Sequence, residues 1–151
     1  MVPGLIITNA TELTDELFLA CQRLVPQLTN NNPPPGRNEL ALLISSNTST
    51  VFIANHPDFG SEIIGMATLI LYRVPTGLRA YIEDVVVDDR ARGRRIGEAL
   101  TRACLERAKQ AGAAQAMLTC NPSRIAANQL YLHMGFKQRK TNVYRYDLQQ
   151  G

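Results

Sequence analysis

The stretch richest in chemistry is Tyr81-Ile82-Glu83-Asp84-Val85-Val86-Val87-Asp88-Asp89-Arg90-Ala91-Arg92-Gly93-Arg94-Arg95-Ile96-Gly97. It reads as a strand, a tight glycine-containing turn and a helix start. Arg90, Arg92, Arg94 and Arg95 fall within six residues. A helix N-terminus presents unpaired amides and a partial positive charge, so an arginine-rich turn leading into it is prepared for a phosphate or pyrophosphate. Gly93 and Gly97 let backbone approach such a ligand closely, and the guanidinium groups add charge-assisted hydrogen bonds. Two other readings fit the same residues. One is a solvated basic helix start; the other is a nucleic-acid patch, although no aromatic residues interleave the arginines as a stacking surface requires. His56 and His133 have no ligand spacing, so no metal site is expected. Cys21, Cys104 and Cys120 read as small core residues, Cys104 on an apolar helix face with no histidine neighbour to activate it.

Elements must hold this stretch in place, and their order can be read from periodicity. Leu13, Leu17, Ala20, Cys21, Leu24 and Leu28 have the three-and-four spacing of an amphipathic helix over 11–28, with Thr11 and Thr14 as candidate starts. Asn30 to Gly36 contains three prolines and predicts a loop, followed by a second helix over about 37–45. Thr50 to Ala54, Ile63 to Val74 and Ala80 to Val87 read as strands joined by hairpin-type connections at His56–Gly60 and Pro75–Gly77. Ile96, Ala99, Leu100, Ala103, Cys104, Ala108 and Ala111 mark a helix over about 94–111, with Gly112 suited to its C-terminal cap. A short strand at Ala116–Cys120 precedes a helix carrying Ile125, Ala126, Leu130, Tyr131 and Met134. Ser123 is the expected cap and Gly135 the stop. Asn142 to Leu148 alternates like a final strand. The expected order is ααβββαβαβ: an α/β fold with a mixed, mostly antiparallel sheet flanked by helices.

Length and charge bound the function. At 151 residues the chain is expected to be one domain, 1–151, large enough to bury about 68–70% of its unfolded surface without disulfides or metals. Three unpaired-looking cysteines point to a reducing, cytoplasmic setting. No apolar run approaches the roughly 18 residues that span a bilayer, and no secretory leader is evident. A net charge of +3 is too mild to imply a polyanion partner except at the arginine cluster.

The run V-V-V-D-x-x-x-R-G-R-R-I-G-E-A-L resembles the acetyl-coenzyme A signature of the GNAT superfamily of N-acetyltransferases, R/Q-x-x-G-x-G/A. Arg92, Ile96 and Gly97 match the flanks of that pattern, and Arg95 stands where its first glycine lies. Asn121-Pro122-Ser123-Arg124, Ala126-Ala127-Asn128-Gln129-Leu130-Tyr131 and Gly135-Phe136 are similar to the family's A-x-x-L-Y-x-x-x-G-F ending. The resemblance implies the GNAT fold and direct transfer of an acetyl group from acetyl-coenzyme A to a primary amine. It implies that the signature strand splays from the next strand, so that backbone at Val85, Val86 and Val87 pairs with the pantetheine arm. The pyrophosphate would then sit on the amides of Arg92, Gly93, Arg94, Arg95, Ile96, Gly97 and Glu98.

Acetyl transfer needs a neutral amine, a stabilised oxyanion and a proton for the departing thiolate. Glu83, two residues before Val85, is expected on the same sheet face, with Asp84 on the other, and is the candidate base or water-orienting group. Its plainer reading is a sheet-edge carboxylate paired with an arginine. The Val85 amide is the candidate oxyanion donor. By resemblance, Tyr131 protonates the thiolate and Asn128 contacts the coenzyme. The Tyr81–Val87 strand is similar to that of glucosamine 6-phosphate N-acetyltransferases, which carry an acidic residue where this chain has Asn121. The acceptor is therefore expected to be a small-molecule amine: an amino sugar, a polyamine or an amino-acid-like compound. Its pocket is expected between the Asn30–Arg37 loop, Tyr72 and Arg73, and Tyr144 and Arg145. A coenzyme-binding sensor without turnover, a protein lysine or N-terminal acetyltransferase, and a nucleic-acid module are the competing readings. The alternating last segment, which many relatives pair or exchange, predicts a homodimer.

Overall fold

The computed structural model describes residues 2–149 and divides into two compact units, one through Thr119 and one from Cys120. In the first, five strands form one sheet in the order β1 (Ile6–Asn9), β2 (Ser49–Asn55), β3 (Ile63–Val74), β4 (Gly77–Val87) and β5 (Ala116–Met117). The first three pairings are antiparallel, and β4 with β5 is parallel. Helices α1 (Asp15–Leu28), α2 (Arg37–Ile44) and α3 (Ile96–Gln110) complete the unit.

Successive strand residues point to opposite sides, which assigns the two cores. On one side Leu17, Ala20, Cys21 and Leu24 of α1 and Leu40 of α2 pack with Val51, Ile63, Met66 and Val86. On the other, α3 crosses β3 at Gly65, where Leu100 and Ile96 come so near the backbone that a side chain has no room. Thr14 rather than Thr11 starts α1, its hydroxyl accepting from the Leu17 amide at 3.1 Å. Gly112 closes α3 as expected: at φ +90° it lets its own amide reach Lys109 O and that of Ala113 reach Ala108 O.

The element order departs from expectation at both ends. β1 was not expected; four residues paired on one side only, mostly exposed, carry too little apolar alternation to announce a strand. Asn142–Leu148, expected as the last strand, forms no ladder among the described residues. Alternation supplies only a side-chain pattern, and a strand also needs a neighbouring backbone. Val143, Tyr144, Tyr146 and Leu148 are 78–90% exposed. β5 is likewise two residues long rather than five.

In the second unit, α4 (Ile125–His133) is capped by Arg124, not Ser123. The Ser123 amide instead donates to Asn121 Oδ1, closing a side-chain turn one residue too early for Ser123 to act as cap. Ile125 and Ala126 are exposed, and Tyr131 is the buried residue of this helix.

Candidate active site

β4 is irregular where the sequence predicts plain alternation. Thr68 pairs with Glu83 and Met66 with Val86, so Asp84 and Val85 together stand opposite Ala67. This is a β-bulge, with Asp84 at φ +53°. The extra residue reverses the faces beyond it: Glu83 shares a side with Val86, not with Val85, which corrects the parity expected from a regular strand. Val86 turns into the α1–α2 core while Val85 and Val87 stay half-buried.

The far edge of β4 is open. β5 is in register with it only at Ala80 and Tyr81, leaving the edge from Ile82 to Val87 without a paired strand among the described residues. The resemblance implies a neighbour that splays away; here β5 ends at Met117, and the edge of β4 beyond Tyr81 is unpaired among the described residues. A cavity of about 170 Å³ lies at the closed end instead, lined by Tyr72, Arg79, Tyr81, Gln115 and Met117 among others.

Beyond β4, a 3-10 turn over Asp89–Ala91 leads to Gly93 at φ +81° and Arg95 at φ +61°, and then to α3. Arg95 adopts the left-handed conformation that a glycine favours, at a cost of about 1–2 kcal/mol. Among the described residues no acceptor serves the six amides from Gly93 to Glu98. The next amide, Ala99, donates to Arg95 O.

The guanidinium groups are committed elsewhere. Arg90 bonds to Asp88 and Glu62, and Arg92 lies 2.7 Å from Asp89. Arg94 reaches Asp58 at 2.7 Å, its guanidinium 5.0 Å from the Phe59 ring. Arg95 forms a two-pronged pair with Glu98, which also accepts from Arg102. Arg102 first, then Arg95, holds the Glu98 carboxyl below its ordinary range. Each of the four arginines thus has a carboxylate partner, while no acceptor serves the main-chain amides from Gly93 to Glu98 among the described residues. Asp58 and Glu62 come from the β2–β3 connection, where His56 Nδ1 accepts from the Asp58 amide and its other nitrogen reaches Pro3 O. No sequence signal joins that connection to the arginines.

Glu83 is exposed, and among the described residues no arginine pairs with it. Partial burial, then the neighbouring Asp84 charge, raises its carboxyl above the ordinary range. Two cysteines are inert, because burial pushes the Cys104 thiol up to about 12 and raises that of Cys21; Cys120 is half-buried.

Asn128 and Tyr131 belong to the second unit. Asn128 Nδ2 donates to Asn121 O at 2.9 Å and to Arg124 O at 2.8 Å, tying the turn before α4 to its first residues. Tyr131, 8% exposed, meets the Phe136 ring edge-on at 5.6 Å. Gly135 at φ +100° ends α4 with the Gly135 amide on Leu132 O and that of Phe136 on Tyr131 O. The Tyr-x-x-x-Gly-Phe spacing is therefore a helix stop with its hydrophobic contact, and it fixes the Tyr131 ring.

Residues 16–136 match the model of the acetyltransferase (GNAT) family. The chain belongs to this family. It is accordingly an N-acetyltransferase that draws on acetyl-coenzyme A. Its fold is similar to that of an aminoglycoside acetyltransferase from an uncultured soil metagenomic sample, solved with sisomicin (21% identity, 97% of each chain covered, TM-score 0.82). A glucosamine-6-phosphate N-acetyltransferase from Arabidopsis thaliana is also similar (18% identity, 93% of this chain and 98% of that one, TM-score 0.75). So is AAC(6')-Iy in complex with a bisubstrate analog, CoA-S-monomethyl-acetylneamine (16% identity, 95% and 98% covered, TM-score 0.75). No curated protein sequence matches the chain. Among the described residues no helix is long and apolar enough to cross a membrane.

Proposed function

We propose that this N-acetyltransferase acts on the primary amine of a small molecule, with both units forming one catalytic domain. The observation that carries the site reading is the run of six unpaired amides from Gly93 to Glu98 beside the open edge of β4. Amides at a helix N-terminus suit a pyrophosphate, and a free strand edge suits an extended amide-bearing chain, so the residues present fit acetyl-coenzyme A. When bound, that cosubstrate supplies the activated acetyl group.

The chain's residues then have these roles. The amides from Gly93 to Glu98 bind the pyrophosphate, that of Arg92 being held instead by Asp89 O, and backbone at Val85, Val86 and Val87 aligns the pantetheine. The Val85 amide, in the bulge, donates to the thioester oxygen as charge develops there. Glu83, unpaired and less acidic than an ordinary carboxylate, takes the amine proton directly or through water. Tyr131 gives its proton to the departing sulfur, and Asn128 contacts the coenzyme through the side-chain oxygen left free by its two donor bonds.

Acceptors of the amino-sugar class are favoured by the structural neighbours, whose names refer to aminoglycosides and glucosamine 6-phosphate. The exposed Val143, Tyr144, Tyr146 and Leu148 support pairing with a second copy, hence a homodimer, and the three free cysteines support a cytoplasmic setting. Thiol release from acetyl-coenzyme A across amino sugars, aminoglycosides, polyamines and amino acids tests the acceptor reading. Turnover with at least one small amine is expected. Coenzyme binding without turnover on any of them would favour a sensor, and acetylation of peptides alone would favour a protein acetyltransferase.

A further inference from the structure

The carboxylate of Asp88 plays no part in the site described so far, yet the residue is 1% exposed at the corner where β4 gives way to the amide run. Burying a carboxylate costs several kcal/mol unless it is fully paired. Here it is. Oδ1 accepts from the Arg90 amide at 3.0 Å and from Arg90 Nε at 3.1 Å; Oδ2 accepts from Arg90 Nη2 at 2.9 Å and from Arg23 Nε at 3.0 Å. Four donors saturate a carboxylate. The main chain of Asp88 is equally occupied, its amide on Ile64 O and its carbonyl accepting from Ala91. Arg23 also donates to Ile63 O. One turn along α1, Gln27 Oε1 accepts from the Asp89 amide at 2.8 Å. A single residue thus ties α1, the start of β3 and the 3-10 turn to one point, five residues before the unpaired amides begin at Gly93.

From this we infer that Asp88, through Arg90 and Arg23, is a positioning residue that sets where the phosphate-facing amides stand relative to the open edge of β4. The inference rests on the proposed coenzyme site. It gives a purpose to the buried cluster that stability does not require, since apolar residues of similar volume serve burial as well. It also separates Arg90 from its neighbours. Arg90 pairs with the buried Asp88 carboxylate as well as the exposed Glu62, whereas the carboxylates that hold Arg92 and Arg94 are exposed.

The test uses two ligands of the full-length protein, coenzyme A and pantetheine, the second lacking the pyrophosphate. Asp88→Asn is expected to weaken coenzyme A on the order of tenfold to a hundredfold, as loss of a carboxylate that orients a binding group does. Pantetheine affinity is expected to change less than about twofold, because its partners are β4 backbone. Val51→Ala, in the α1–α2 core away from the loop, serves as a control that lowers the melting temperature without separating the two ligands. If Asp88→Asn does not fold, Arg23→Met keeps the stem and leaves Arg90 to neutralise Asp88, and the same discrimination is expected at smaller size. Equal losses for both ligands, or none, would overturn the positioning role. Failure of the unaltered protein to bind either ligand would instead overturn the coenzyme site itself.

Discussion

Gly65 lies where α3 rests on β3 with no side chain between them, and adding one methyl group there tests how tightly the helix is held. A Cβ at this position would stand 3.0 Å from Leu100 Cδ1, 3.2 Å from Val86 O and 3.4 Å from Ile96 Cγ2. Carbon atoms in good contact sit about 3.5–4.0 Å apart, so the leucine must yield by half an ångström or more. Leu100 is 0% exposed and has nowhere to turn, and the Val86 carbonyl belongs to the sheet. Overpacking of this kind costs about 1–3 kcal/mol, while replacing a glycine returns about 0.4–1 kcal/mol through the unfolded chain. The net destabilisation of Gly65→Ala is then roughly 0–2.6 kcal/mol, or a melting temperature lower by up to about 10 °C. Leu100→Ala alone is expected to cost about 2–5 kcal/mol. In the double variant the new methyl group occupies part of the space Leu100 leaves, so the two losses should sum to more than the observed one by about 1 kcal/mol. Urea unfolding of the four proteins measures this directly. Additivity, or a Gly65→Ala protein more stable than its parent, would refute the close approach of α3.

Other expectations concern the chemistry. Tyr131→Phe keeps the edge-on contact with Phe136 and should lower turnover tenfold or more while sparing coenzyme affinity; unchanged turnover removes Tyr131 as the acid. Glu83 acts as a base only when ionised, so kcat/KM should fall as pH drops through its raised value, giving an acidic limb above the ordinary carboxylate range of about 4.3. Asp84→Asn removes one cause of that rise and should move the limb to lower pH; Glu83→Gln should abolish it, and a limb indifferent to both changes assigns the base elsewhere. Asp58→Asn frees Arg94 from an exposed partner and should tighten coenzyme A a few-fold at low salt, an effect that fades as salt is added. Weaker binding in that variant would mean the pair holds the loop rather than competing for it.

Much of the frame was legible because it rests on local signals. Thr14, Gly112 and Gly135 mark helix ends through their own backbone needs, and the periods of α1 and α3 follow from burial. The departures arise where pairing depends on distant residues. Asn142–Leu148 has a strand's alternation and no ladder, whereas Ile6–Asn9 has little alternation and finds β2. The bulge at Asp84 and Val85 is invisible to a two-residue period, since only the register against Met66 and Thr68 reveals it. At the candidate site, the strand, turn and helix were readable, and so was the helix N-terminus. What could not be read is that Asp58 and Glu62 would reach the arginines from 36 and 28 residues away. Asp88 left a faint trace, an aspartate two residues before Arg90 at a turn, the usual spacing of a side-chain cap.

The unpaired edge of β4 has a meaning for solubility as well as for binding. An exposed strand edge is a template on which another chain can add, and proteins normally blunt such edges with charge, brevity or a bulge. β4 uses all three: the open stretch runs only from Ile82 to Val87, carries Glu83 and Asp84, and is bent at its middle. A ligand lying along that edge would complete the protection, so the empty protein should be the form most prone to self-association. Cosubstrate supply would then govern how long the protein persists in solution, and not only how fast it works.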